Sequence, residues 1–147
     1  DAAYSTTNWI NIDNTTSFSD TYCRYTAIPD LNFEAALEAI ITDDVSGDGQ
    51  VPTTLVESLT NLNIQNKGIT DLTGIADFTA LEILNASTNG LKSINISGNK
   101  KLKNLDFGFN EITEIDISQN TALEVLDLGD NSLTAIDVTK NTALRES

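Results

Sequence analysis

"LKNLDFGFNEITEIDISQNTA", residues 102–122, runs directly into "LEVLDLGDNSLTAIDVTKNTA", residues 123–143. The two stretches match position for position: Leu102 with Leu123, Leu105 with Leu126, Asn110 with Asn131, Asn120 with Asn141. "LEILNASTNGLKSINISGNKK", residues 81–101, takes the same form, so the block recurs every 21 residues. A looser block at 59–80 is one residue longer, and a further one opens at Leu144. Self-similarity at this period means that each block is one unit of a stack.

Each block divides in two. Leu102, Leu105 and Phe107 lead to Asn110, and Ile112, Ile115 and Ile117 lead to Asn120. The half-unit L-x-x-L-x-L-x-x-N thus occurs twice per period. Alternating apolar residues before each Asn predict a short strand with one buried face in each half. The Asn closes the strand, its amide hydrogen-bonding backbone groups at the bend. Stacked at about 4.8 Å, the blocks would form two asparagine ladders, Asn89–Asn110–Asn131 and Asn99–Asn120–Asn141. One coil cannot bury its apolar face alone, so the coils stabilise one another. The expected architecture is an α/β solenoid of 21-residue coils with parallel strands. An outward column reads Asn63, Asn85, Asp106, Asp127 on the first strand, and another reads Asn95, Asp116, Asp137 on the second. Such columns are solvated polar faces. Asp106 and Asp127 are also candidate partner contacts, and stacked carboxylates can recruit a cation.

Composition narrows the chemistry. The 147 residues carry 22 acidic and 8 basic side chains, a net charge of −14. That charge opposes binding to nucleic acid or anionic lipid. No apolar run is long enough for a membrane span. There is no His, which removes the commonest general base, and one Cys, Cys23, so no internal disulfide. No nucleophile–base pair and no phosphate-cradling glycine loop is present, so the chain reads as not an enzyme.

Upstream of the repeats the pattern changes. Residues 28–41 predict a helix, with Asp30 as N-cap and Phe33, Leu37, Ile40 and Ile41 on one face. Its task is to cover the first coil, because an open solenoid end exposes its core. Residues 1–26 hold five of the nine aromatic residues, among them Tyr4, Trp9, Tyr22 and Tyr25. They read as an arm packed on the cap, or as an aromatic anchor for a partner. Three parts follow: arm 1–26, cap 27–58 and repeats 59–147.

"DDVSGDGQV", residues 43–51, follows the calcium-loop pattern in part. Asp44, Ser46 and Asp48 fall at loop positions 1, 3 and 5, Gly49 at 6, and Gln50 would offer its carbonyl at 7. Position 12, usually a bidentate Glu, is Leu55, and Asp43 or Glu57 is left to supply the carboxylate. The loop is either a weak structural Ca²⁺ site or a metal-free Asp/Gly turn.

The motif L-x-x-L-x-L-x-x-N-x-L is the leucine-rich-repeat consensus. "NTALEVLDLGDNSLTAIDVTKNTAL" resembles the short repeats of secreted and cell-surface proteins of Bacteroidetes-type bacteria. "AIPDLNFEAALEAI" resembles their helical cap, and "NKGITDLTGIADFTALEILN" is similar to their first coil and to internalin-type repeats. Related loops carry a Glu that this one lacks. The resemblance implies a secreted or cell-surface binding and adhesion module with a protein or glycan ligand. The alternative is a structural subunit of a surface fibre. Such a subunit would self-associate end to end: the last block breaks off early in a new coil, so either the chain is a fragment of a longer protein or a second subunit covers the uncapped end.

Overall fold

The computed structural model describes residues 24–41 and 47–145. Tyr4, Trp9, Tyr22, Cys23, Asp44 and Ser46 lie outside the described residues. The element order is β1 (Tyr25–Ala27), α1 (Leu31–Glu38), β2 (Gln50–Pro52), α2 (Thr53–Val56), β3 (Asn61–Asn63), a 3₁₀ turn (Ile75–Asp77), β4 (Ile83–Asn85), β5 (Asn104–Asp106) and β6 (Val125–Asp127).

The repeats form one parallel four-stranded sheet in the order β3-β4-β5-β6. Its register aligns equivalent positions: Leu62 with Leu84, Leu84 with Leu105, Leu105 with Leu126. Each three-residue strand points its middle leucine inward. Behind the leucines, Ile64, Ala86 and Phe107 are fully buried, as are Leu81, Leu102 and Leu123 at the coil starts. One stacked apolar core therefore runs through the coils.

The asparagine ladders complete each coil. Asn110 Nδ2 donates to the carbonyls of Ala86, Phe107 and Gly108, and its Oδ1 accepts from Leu91 N. Asn89 and Asn131 repeat this arrangement in the coils on either side. On the return side, Asn120 Nδ2 donates to Ile96 O and Asn99 O, and Asn141 Nδ2 to Ile117 O and Asn120 O. Here one expectation fails. The second half of each block holds no strand among the described residues, so Asn95, Asp116 and Asp137 line turns rather than a second sheet. The cause is visible in the bonding: carbonyls that a strand ladder would need are already taken by Asn99, Asn120 and Asn141. Asp116 and Asp137 instead accept from the backbone N–H two residues on, at Ser118 and Thr139.

The cap closes the first coil. Phe33 and Leu37 of α1 are fully buried and Ile41 nearly so, whereas Ile40 is exposed. The helix is shorter than the expected 28–41. The Phe33 ring stacks on Phe78 of the first coil at 6.1 Å. Asp30 is the N-cap, its Oδ1 accepting from Asn32 N and Phe33 N. Its Oδ2 accepts from Thr70 N, Thr70 Oγ1 and Asp71 N, so one carboxylate ties the cap helix to the repeats. The antiparallel pair β1-β2, with α1 between its strands, carries Tyr25 and Thr26 into the cap, across the expected arm boundary. Thr26 Oγ1 donates to Asp77, which Arg24 also contacts. At Gly74, with φ of 100°, a Cβ would lie 2.4 Å from Ala27 O, so only glycine admits β1 this closely.

Two measurable consequences follow from these bonds. Asn120→Ala removes the amide's buried bonds to Ile96 O and Asn99 O, leaving each carbonyl only its backbone partner, Asn99 N and Leu102 N, at a cost of about 1–3 kcal/mol for the two bonds; urea unfolding reads this, and an unchanged midpoint would contradict the ladder's role. Partial burial acts to raise the Asp30 carboxyl, but hydrogen bonds from Thr70, Phe33 and Asp71 outweigh it, so its pKa lies below the ordinary 3.8. A lowered folded pKa means that this contribution is complete above the unfolded value and disappears as pH falls through the folded one. The stability gap between wild type and Asp30→Asn is therefore constant near neutrality and closes in acid, as urea midpoints across a pH series will show.

Candidate functional site

The outward face of the sheet follows from strand alternation. Two residues of every strand point away from the core. The first column is Asn61, Ile83, Asn104, Val125, and the second is Asn63, Asn85, Asp106, Asp127. Ile83 and Val125 are 40% and 48% exposed although apolar. A shallow depression of ≈ 300 Å³ lies among Ile83, Asn85, Asn104, Asp106, Val125 and Asp127.

The two edges of this face differ in charge. At the strand starts, Glu82, Lys103, Glu124 and Arg145 alternate in sign along the stack. Lys103 Nζ lies 2.8 Å from Glu82 Oε2, and Arg145 Nη2 lies 2.8 Å from Glu124 Oε2. The hydrogen bond and charge of Glu82 hold the Lys103 pKa above its usual value. That edge neutralises itself. At the strand ends, Asp106 Oδ1 accepts from Gly108 N at 3.0 Å and Asp127 Oδ1 from Gly129 N at 2.8 Å. Among the described residues no cation pairs with Asp106, Asp127 or Asp130. A Cβ on Gly108 would stand 3.4 Å from Asp106 Oδ1 and 3.6 Å from Asp127 Oδ1, so both carboxylates flank this glycine.

The residue after Gly108 is unusual. Each coil turns after its strand through one left-handed residue: Asn66, Thr88, Phe109 and Asp130, with φ between 52° and 57°. Inter-coil bonds impose the turn, from Asn66 N to Ser87 O, Thr88 N to Gly108 O and Phe109 N to Gly129 O. Asn and Asp tolerate this conformation, whereas a bulky side chain is strained by about 1–2 kcal/mol. Phe109 is also 63% exposed. It meets the strain without gaining burial. The sequence points to the arm for the aromatic anchor, and Phe109, at a variable position of the repeat, carries no expectation of its own. The available signal was its alignment with Asn66, Thr88 and Asp130, all polar.

The expected sites separate under this geometry. Asp106 and Asp127 become direct neighbours across β5 and β6. Tyr25 stands 55% exposed on the separate two-stranded sheet of the cap. In the calcium-type loop, Asp48 accepts from Gln50 N at 3.1 Å and Gln50 Nε2 at 3.2 Å. Gly49 N donates to the fully buried Glu34, and Gly47 N to Glu38. Glu57 follows α2, its N–H bonded to Thr53 O. No cluster of three acidic, Cys or His side chains suited to a metal occurs among the described residues. A larger depression of ≈ 450 Å³ runs between residues 71–76 and 93–95. Its one carboxylate, Asp71, accepts through Oδ1 from Thr73.

Comparison with known proteins agrees with the architecture. A family pattern described as Leucine Rich repeats (2 copies) matches residues 100–141. No curated protein sequence matches the chain. An internalin, InlF of Listeria monocytogenes, is 28% identical over 80% of this chain and 35% of its own, with a TM-score of 0.72. The functional domain of InlJ from Listeria monocytogenes, which includes a cysteine ladder, is 27% identical over 84% of this chain and 32% of its own, with a TM-score of 0.56. The present chain has one Cys, and its ladders are of Asn. It spans about a third of the length of these two structures. Among the described residues no helix is long and apolar enough to cross a membrane. The chain has the leucine-rich-repeat α/β solenoid fold, similar to that of the internalins, and this fold is a non-enzymatic protein-interaction scaffold.

Proposed function

We propose that the chain is an extracellular, surface-type binding module whose β3–β6 face meets a protein partner in adhesion. The observation that carries this reading is the pairing of exposed apolar side chains, Ile83 and Val125, with unpaired carboxylates on one ordered sheet face. A solvated face has no use for Ile83 and Val125, whereas an interface buries apolar centres within polar rims. Regular stacking holds the face rigid, which reduces the ordering cost of binding. The internalin-like fold supports placing the module at the cell surface.

The same reading retains Ca²⁺ as a weak structural ion of the 44–50 loop. Its support is Glu34, buried beside Gly49, whose Oε2 has no hydrogen-bond partner. Asp44 and Ser46 enter by sequence position only. Millimolar Ca²⁺ then raises Tm in thermal scans; a Tm indifferent to it leaves a metal-free turn.

A photo-crosslinking side chain tests the binding face. Placed at Asn104 on the sheet, it captures a protein from a detergent extract of cell-surface proteins. Placed at Lys100, on the return side of the coil, it does not. Equal capture from both positions would remove the sheet face from the reading.

A further inference from the structure

We infer that Phe109 and the carboxylates around it form the anchor of this interface, and that the anchor takes an arginine-bearing polypeptide segment. The inference rests on the sheet-face reading above and names its partner chemistry. Three observations converge on one spot. Phe109 is the largest exposed apolar side chain of the repeats, and it holds a left-handed backbone that Asn66 and Asp130 fill without strain. Strain persists only where the surrounding structure imposes it, and such residues cluster at functional sites. Second, Asp106 and Asp127 converge beside Gly108, immediately before Phe109. Asp130 occupies the position stacked after Phe109 in the next coil. Third, the opposite edge of the face is internally neutralised by the Glu82–Lys103 and Glu124–Arg145 pairs. On the sheet face, the uncompensated negative charge thus lies along the edge that leads into Phe109.

Asp106 and Asp127 each keep one oxygen on a backbone N–H, and the second oxygen of each has no protein partner among the described residues. An arginine suits this arrangement better than a lysine. Its planar guanidinium stacks on an aromatic face while donating in a fork to carboxylates. Ile83 and Val125, the apolar members of the outer column on either side of Asn104, then receive the aliphatic side chains that flank the arginine. A neutral glycan lacks the cation, and an acidic partner is repelled.

A phage library of random dodecapeptides, selected on the intact protein, supplies the probe. The expected binders carry arginine next to an apolar residue. Their affinity falls at least tenfold on Phe109→Asn and on the Asp106→Asn/Asp127→Asn double variant, and the loss from the double variant shrinks at high salt. Phe109→Asn relieves the backbone and raises Tm, so lost binding cannot be charged to unfolding. A control variant, Asn104→Arg, blocks the centre of the face. Peptides that lose binding to Asn104→Arg yet ignore Phe109→Asn overturn the anchor and leave the sheet-face reading intact. Peptides that ignore all these variants, or a selection that returns no binder, overturn the anchor and withdraw support from the face. Sedimentation of the free protein completes the test: self-association abolished by Phe109→Asn would assign the anchor to a second copy and overturn the arginine segment.

Discussion

The structure depends on what an asparagine amide can do that an aliphatic side chain cannot. A chain that turns back on itself every ten residues or so leaves carbonyls pointing into a core that has no water. Each ladder asparagine supplies a two-proton donor to those carbonyls, and on the sheet side its oxygen also accepts from the coil before it. Asn110 alone reaches four backbone groups in two coils. Leucine stacking provides the apolar driving force, but it is indifferent to register. The amides are not indifferent, and they align one coil on the next.

Much of this was legible in the sequence, for a physical reason. The ladder positions, the inward leucines and the outward Asp106–Asp127 column repeat at a constant step, so one block read correctly gives all of them. The second strand was misread from the same regularity. Ile112, Ile115 and Ile117 have the spacing of a buried edge, but hydrophobic pattern reports burial and not which partner takes the backbone bonds. Asn120 and Asn141 decide that, and the neighbouring carbonyls go to side chains. Phe109 was illegible for a related reason. Nothing in local alternation distinguishes an inward Phe from one turned out by a left-handed residue, and only alignment across coils reveals it. The cap depends on long-range contacts that no local pattern carries: Asp30 to Thr70, Phe33 to Phe78, Gly49 to Glu34. Of these, only the N-cap role of Asp30 was readable.

Charge on the sheet face is organised by the same stacking. Positions that recur in every coil become rows, and the sign of each row is set by which residues alternate along it. Glu82, Lys103, Glu124 and Arg145 cancel in sequence, whereas Asp106 and Asp127 add. A net charge of −14 therefore describes the field around this protein poorly; what matters is that one row is balanced and the next is not. Exposed ion pairs of this kind add little stability, and their effect is to leave the uncompensated row as the feature an approaching cation senses.

The left-handed turn has one more consequence. Because bonds between coils impose that backbone angle, the identity of the side chain there is decoupled from the shape of the coil. Asn, Thr, Phe and Asp occupy it in turn without altering the path of the chain. The position behaves as an interchangeable socket, one per repeat, open to solvent and held at a constant interval. A scaffold of this kind can change what it recognises by altering one socket at a time while the parts that keep it folded stay untouched.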